Sequence, residues 1–310
     1  MSSKHANVAI IDMGTNTFHL LIAEMSSRPK ILVREREAVK VGKDGINQKV
    51  ITQEGFARAL DTLKKFKTII DQHGVRKTLA FGTSAIRNAS NGQELVESIR
   101  NNVGIDTRII DGDEEADLIY RGVRAGLDLG TDSSLIVDIG GGSVEFIFGN
   151  NHGVQWKRSL DIGGQRLLEQ FQRHDPISPE EIRALEAFFR KELHPLMEPL
   201  KEYDPSILVG VSGTFDTLSE MFCVRNSLPY SPDDSETPFD IQAFPAIYKE
   251  LLTHDRAGRL ALPGMIEMRV DMIVVACVLV NFILHAHQFD NIRVSSYSLK
   301  EGVLASLLPS

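Results

Sequence analysis

Two stretches of this chain, far apart in sequence, repeat one pattern: an apolar run ends in aspartate and enters a turn of small residues. In residues 135–149, Leu-Ile-Val-Asp-Ile-Gly-Gly-Gly-Ser-Val-Glu-Phe-Ile-Phe-Gly, the run closes on Asp138, and Gly140, Gly141, Gly142 and Ser143 follow. Val144, Phe146 and Phe148 then resume at alternate positions around Glu145, which predicts strand, tight turn, strand. Glycines let successive backbone N–H groups converge into a concavity that suits an anion. A carboxylate on each side of such a turn is placed to hold a divalent cation against a bound phosphate. A plain glycine hairpin fits the same residues equally well.

The second copy weighs against the plain hairpin. Residues 8–23 read Val-Ala-Ile-Ile-Asp-Met-Gly-Thr-Asn-Thr-Phe-His-Leu-Leu-Ile-Ala. With Asp12 laid on Asp138, Gly14 falls on Gly140, Thr15, Asn16 and Thr17 fall on Gly141 to Ser143, and His19 falls on Glu145. A further pair keeps nearly the same offset: Leu79 to Ala85 resembles Leu208 to Thr214, each an apolar strand entering a helix through a small-hydroxyl turn, Thr83-Ser84 and Ser212-Gly213-Thr214. Such a helix entry is itself suited to phosphate. Two matched pairs in one order predict a duplicated domain, with two phosphate turns on opposite walls of one cleft.

The 310 residues set a prior of about two domains. The expected boundary falls in the Gly/Asp/Ser-containing connection near Gly126 to Thr131, giving 1–125 and 126–310, with the last helix, about 300–310, packing back on the first domain. Hydrophobic content of 42% and charged content of 25% are those of a soluble globular protein. A net charge of −8 argues against nucleic-acid or membrane-surface partners, so attraction to an anion has to be local. Cys223 and Cys277 lack metal-ligand spacing, and the N-terminus lacks the apolar core of a signal peptide; both point to a reduced, cytoplasmic protein. The apolar run from Met272 falls short of the roughly 20 residues of a membrane span and predicts a buried helix. The apolar-rich C-terminal half predicts a homodimer.

Periodicity places the remaining elements. Residues 8–41 predict three strands, the last ending at Ala38 to Gly42. Thr52 caps a helix whose Phe56, Leu60, Leu63, Phe66 and Ile70 share a face. Helices are expected at 92–101, 180–200 and 265–286, strands at 153–160 and 291–295, and a long loop at 226–240. Asp111 or Asp113 opens a helix running to about Leu127, in which Glu115, Ile119, Gly122 and Val123 face inward while Glu114 does not. Simple complementarity to the helix dipole also accounts for acids at this position.

The set Asp12-Met-Gly-Thr-Asn-Thr-Phe-His19, Gly82-Thr-Ser-Ala-Ile-Arg87, Gly112-Asp-Glu-Glu-Ala116, Asp138-Ile-Gly-Gly-Gly-Ser143-Val-Glu145 and Ser212-Gly-Thr214 resembles the exopolyphosphatase/guanosine pentaphosphate phosphohydrolase family, across essentially the whole chain. The resemblance implies an α/β protein of two duplicated ribonuclease-H-like domains, of the actin-, Hsp70- and sugar-kinase-like superfamily, with its site in the interdomain cleft. It implies removal of terminal phosphate from inorganic polyphosphate, or of the 5′ γ-phosphate from guanosine pentaphosphate, with Mg²⁺ or Mn²⁺. Residue by residue, Glu115 matches the catalytic base, and Asp138 and Glu145, with Asp12, match acids that place the metal. Gly14, Thr15, Asn16, Thr17, Arg87, Gly140 to Ser143 and Ser212 to Thr214 match phosphate-binding positions. Arg269, His19 and Lys300 are further candidates. Lys300 and Tyr297 stand where the family pattern has arginine and glycine, and Val144 where it has threonine.

Two other readings remain at this level. A superfamily kinase would pass the γ-phosphate of ATP to a small molecule, and an ATP-clamped chaperone or filament subunit would not be an enzyme of this kind at all. Kinases of this superfamily read adenine with a glycine-rich turn near Ser212 to Thr214, where this chain has one glycine. Neither alternative needs the pair Arg87 and Glu115.

Overall fold

The computed structural model describes residues 6–308. The two aspartate-ended runs lie at the centre of two sheets. In the first half, β1 (Asn7–Met13), β2 (Phe18–Glu24) and β3 (Lys30–Glu37) are followed by α1 (Gln53–Gln72), β4 (Lys77–Gly82), α2 (Ser84–Asn88), α3 (Gly92–Val103), β5 (Thr107–Ile109) and α4 (Gly112–Gly126). The second half continues with β6 (Ser134–Ile139), β7 (Val144–Asn150), β8 (Gly153–Leu160), α5 (Gly164–Phe171), α6 (Pro179–Glu192), α7 (His194–Tyr203), β9 (Ile207–Val211) and α8 (Ser212–Arg225). It closes with β10 (Glu236–Thr237), α9 (Phe244–Thr253), α10 (Arg256–Leu260), α11 (Ile273–Ala286), β11 (Asn291–Ser295) and α12 (Leu299–Ser306).

The first sheet has the order β3-β2-β1-β4-β5 and the second β8-β7-β6-β9-β11, with β10 added at the far edge. In both, the first three strands are antiparallel and the next two join in parallel. The central strands are buried on both faces, as continuous apolar runs require. Ile10 of β1 and Ile136 of β6 face one shared core between the sheets, where α4 and α12 also lie. Ile11 and Val137 face the separate outer cores. The repeat seen in the sequence therefore extends to which side chain enters which core.

Several expected boundaries move. The third strand ends at Glu37, not near Gly42. Val39 and Val41 are buried, but their backbone curls under the first turn. The helix expected over 180–200 is two helices: α6 ends at Glu192, and α7 starts at His194 with Pro195 in its first turn, the position proline favours, and Pro199 farther along. The 226–240 loop contains β10, which pairs with β11. The buried helix begins at Ile273 instead of 265, after a 3-10 turn at Glu267–Arg269. No helix among the described residues is long and apolar enough to cross a membrane.

Helix α6 starts with a capping box in which the Ser178 hydroxyl accepts from the Glu181 N–H and the Glu181 carboxylate accepts from the Ser178 N–H. Glu181 also accepts from the N–H groups of Arg173 and His174. Burial alone would push this carboxyl up, but the donors from Ser178, Arg173 and His174 outweigh it and hold it down at about 2. A pKa lower in the folded chain means stability that is complete above the ordinary carboxylate range and lost as pH falls toward about 2. Glu181→Gln is expected to lower unfolding free energy by about 2 kcal/mol at pH 7. Urea denaturation at pH 7 and pH 3 checks this, and a gap that does not narrow at pH 3 contradicts it.

Candidate active site

Both turns close with the same hydrogen bond, Gly14 N–H to the Thr17 carbonyl and Gly140 N–H to the Ser143 carbonyl, each 3.1 Å. Asp12 stands opposite His19 in the ladder, and Asp138 opposite Glu145. The turn carbonyls are drawn backwards. Those of Thr15 and Asn16 accept from Gly42 N–H (3.0 Å) and Lys40 N–H (2.9 Å). Those of Gly140, Gly141 and Gly142 accept from the N–H groups of Gly164 (2.9 Å), Gln165 (2.8 Å) and Gly163 (3.3 Å) at the start of α5. In a trans peptide the N–H points opposite to the carbonyl. The amides of Asn16, Thr17, Gly141, Gly142 and Ser143 are therefore turned the other way, into the space between the turns.

That space is a cavity of about 80 Å³ lined by both turns, the four acids Asp12, Glu115, Asp138 and Glu145, and Thr83, Ser84, Ser212, Arg269 and Ser298, among others. The turns nearly touch. A Cβ on Gly142 would lie 2.4 Å from the Thr15 hydroxyl and 2.6 Å from that of Ser84, and one on Gly163 would lie 2.4 Å from the Gly142 nitrogen. Ser212, at the first position of α8, has φ +67°, a left-handed conformation that a serine adopts at a cost.

The acids are held individually. The Ser298 hydroxyl donates to Asp138 Oδ2 (3.1 Å), and the Ser159 hydroxyl to Glu145 Oε1 (2.7 Å). Glu115 is buried at the first turn of α4, and Arg87 Nη1 donates to its Oε2 at 2.8 Å and to the Ile110 carbonyl at 3.0 Å. Burial pushes Glu115 up to about 7, against the pull of Arg87, with Asp12 and Asp138 adding to the rise. Asp12 is likewise pushed up to about 7, first by burial, with Lys300 opposing and Asp138 adding. Burial raises Asp138, although the Ser212 and Ser298 hydroxyls favour its charged form. Glu145 is raised well above its ordinary range by burial and by Glu115 and Asp138. Burial, Lys300 and Arg269 keep His19 well below the usual imidazole value, so it is neutral at pH 7.

Four crowded acids in one buried cavity repel one another and any polyanion, so a divalent cation fits here on charge grounds. Among the described residues no three carboxylate, imidazole or thiol groups gather closely enough to enclose an ion. That suits Mg²⁺, which takes one or two carboxylates and completes its shell with water and phosphate oxygens.

Not every candidate reaches the cavity. Arg87 pairs with Glu115 at its edge. Gly213 lies behind it: a Cβ there would sit 2.0 Å from Arg269 Nε, so this glycine makes room for the guanidinium, whose Nε is buried without a partner. Thr214 lines a separate void of about 10 Å³. Lys300 pairs with Glu301 (3.2 Å) and faces a neighbouring cavity of about 250 Å³ that shares His19. A second neighbour, of about 360 Å³, shares Asn16. Sequence reasoning missed Ser159, Ser298 and Arg166. Lone serines carry no signal, but the pair Gly163-Gly164 at a strand–helix junction marks a close backbone approach.

Fold and site are those of a phosphatase class, with two glycine-bearing turns facing one cavity beside four acids. The chain belongs to the Ppx/GppA phosphatase family, whose sequence pattern matches residues 21–310. A solved exopolyphosphatase from Cytophaga hutchinsonii is 45% identical, with TM-score 0.95 over 97% of each chain. The Ppx/GppA family member of Aquifex aeolicus is 26% identical, with TM-score 0.80 over 98% of this chain and 97% of that one. Exopolyphosphatase 1 of Mycobacterium tuberculosis is 25% identical over 98% of this chain and 88% of its own. The bifunctional 3-dehydroquinate synthase/phosphatase of Fusobacterium nucleatum is 35% identical over 67% of this chain, and the match spans 33% of that longer protein.

Proposed function

We propose that this chain hydrolyses the terminal phosphoanhydride of inorganic polyphosphate, of guanosine pentaphosphate, or of both, with Mg²⁺ or Mn²⁺. The observation that carries the reading is the pair of facing turns whose amides converge on a cavity of about 80 Å³. Sites for whole small molecules run from about 300 Å³ upward. This one admits a terminal phosphoryl group and leaves the rest of the substrate outside.

In this reading residues 1–125 and 126–310 are two ribonuclease-H-like domains. The turn amides, with Arg269, bind and orient the terminal phosphate. One or two of the acids Asp12, Asp138 and Glu145 would hold the divalent cation, which when bound would supply positive charge against the phosphate oxygens. Glu115 orients a water and takes its proton as the water oxygen bonds to phosphorus and the bridging P–O bond breaks, which releases orthophosphate. Arg87 favours the ionised form of that carboxylate against burial and aims it. The Arg269 guanidinium on Gly213, where a kinase would seat adenine, supports hydrolysis over the ATP-dependent alternatives. A cytoplasmic homodimer with no nucleic-acid or membrane partner completes the reading.

The test is phosphate release from tripolyphosphate, long polyphosphate, guanosine pentaphosphate and ATP. Release is expected from polyphosphate or guanosine pentaphosphate, abolished by EDTA and restored by excess Mg²⁺. Turnover of ATP alone would reopen the kinase and chaperone readings, and full activity in EDTA would refute the role given to the acids.

A further inference from the structure

One buried guanidinium, that of Arg166 on α5, plays no part in the mechanism above. Arg166 is 8% exposed. Its Nε donates to the Gly142 carbonyl at 2.8 Å, and its Nη1 donates across the cleft to the Ile46 carbonyl at 3.0 Å. Asp161 is the one carboxylate within ion-pair distance among the described residues, 3.7 Å from Nη2, which makes no hydrogen bond, and Glu169 acts on the guanidinium from farther off. Burying a cation with so little compensation is costly, so the two carbonyls it holds need a reason.

They are the backs of the two phosphate turns. Ile46 N–H donates to the Gly42 carbonyl (3.0 Å), and Gly42 N–H donates to the Thr15 carbonyl (3.0 Å) in the first turn. A single run of hydrogen bonds therefore leads from Thr15 through Gly42, Ile46 and Arg166 to Gly142. Neighbours on the same helix reach across as well: Asn16 Nδ2 donates to Gln165 Oε1 (3.1 Å), and Asp44 N–H to Glu169 (2.9 Å). Gln165, whose N–H also donates to the Gly141 carbonyl, joins the turns through the Asn16 side chain, whereas Arg166 joins their backing through the Ile46 and Gly142 carbonyls. Its bond to Gly142 is shorter than the 3.3 Å bond from Gly163 N–H to the same carbonyl.

We propose that Arg166 is a positioning residue for phosphate capture, a cross-brace that sets the distance between the two turns and keeps the Gly142–Ser143 peptide facing the cavity. The proposal rests on the hydrolase reading above. Transition-state charge falls on oxygens that these amides would face, so misplacing one amide affects kcat more than KM.

The test uses the full chain, with tripolyphosphate and Mg²⁺. Arg166→Met is expected to lower kcat about 10- to 100-fold, with KM within about threefold. Arg166→Lys keeps the buried charge but cannot reach two divergent carbonyls. It is expected to recover the melting temperature and not the rate. Asn47→Ala, which removes only the bond from Asn47 to the Arg166 carbonyl, keeps kcat within about twofold. If the methionine variant fails to fold, the lysine variant decides alone. A loss confined to melting temperature, or full rescue of kcat by lysine, overturns the brace. A wild-type chain that releases no phosphate refutes the hydrolase reading instead. The brace is then read by calorimetry with orthophosphate, where about tenfold weaker binding in Arg166→Lys supports it and unchanged binding refutes it.

Discussion

Glu115→Gln is expected to lower kcat for phosphate release by about 10³-fold and leave KM and the melting temperature nearly unchanged. The expectation comes from placement. Asp111 caps α4 by accepting from Glu114 N–H, which sets the first turn so that Glu115 points inward and Glu114 outward. Arg87 fixes Glu115 Oε2, which leaves the other oxygen free to meet a water. Glutamine keeps the size and loses the ability to take a proton. The fold is expected to tolerate the change because Arg87 retains the Ile110 carbonyl and the cavity loses one of four crowded acids. Glu114→Gln is the control: Glu114 is paired with Arg108 at 2.6 Å on the outside of the helix, and its loss is expected to leave turnover intact. Wild-type turnover in Glu115→Gln would remove Glu115 as the base.

The second large effect concerns stability, and its sign separates local from tertiary causes. Gly302 lies in α12 and Gly122 in α4. An alanine in a helix is ordinarily favoured over glycine by about 1 kcal/mol. Here a Cβ on Gly302 would fall 1.7 Å from the Leu118 carbonyl oxygen, and one on Gly122 would fall 1.9 Å from that of Ser298. The helices touch backbone to backbone between the two sheets. Gly302→Ala is therefore expected to destabilise by about 3 kcal/mol, as overpacked cores do. Urea denaturation measures it, and a stabilised variant would contradict the close approach. Activity is expected to fall as well. Separating the helices moves Ser298 away from Asp138 and shifts the helix that carries Glu115.

The α4–α12 contact shows how far local reasoning reaches. The inward face of α4, an aspartate cap at its start and the strand–turn–strand pattern follow from nearest-neighbour spacing, and all three are present, the cap being Asp111 and not Asp113. The alignment of Asp12 with Asp138 and of His19 with Glu145 holds in the ladder registers, because a period of two leaves no freedom once the turn is placed. The third strand ended early for a reason no period encodes: Lys40 and Gly42 leave the sheet to back the first turn. Arg269 enters the cavity because residues 267–269 form a 3-10 turn before the buried helix, in a stretch whose composition suits that helix equally.

The amino-acid sequence by itself determined the chemistry and local shape of the site: two small-residue turns, an acid before each, and a carboxylate on the inward face of a capped helix. These depend on residues a few positions apart, where sterics and periodicity act directly. Only the tertiary structure decided which way the turn amides point, since the answer lies with Lys40, Gly42, Gly163 to Gln165 and Arg166, which draw the carbonyls back. It also decided that Arg87 serves Glu115, that Ser298 serves Asp138, and that Gly213 makes room for Arg269. Those are contacts between groups distant in sequence, fixed by hydrogen-bond demand and excluded volume after the two sheets close on a common core.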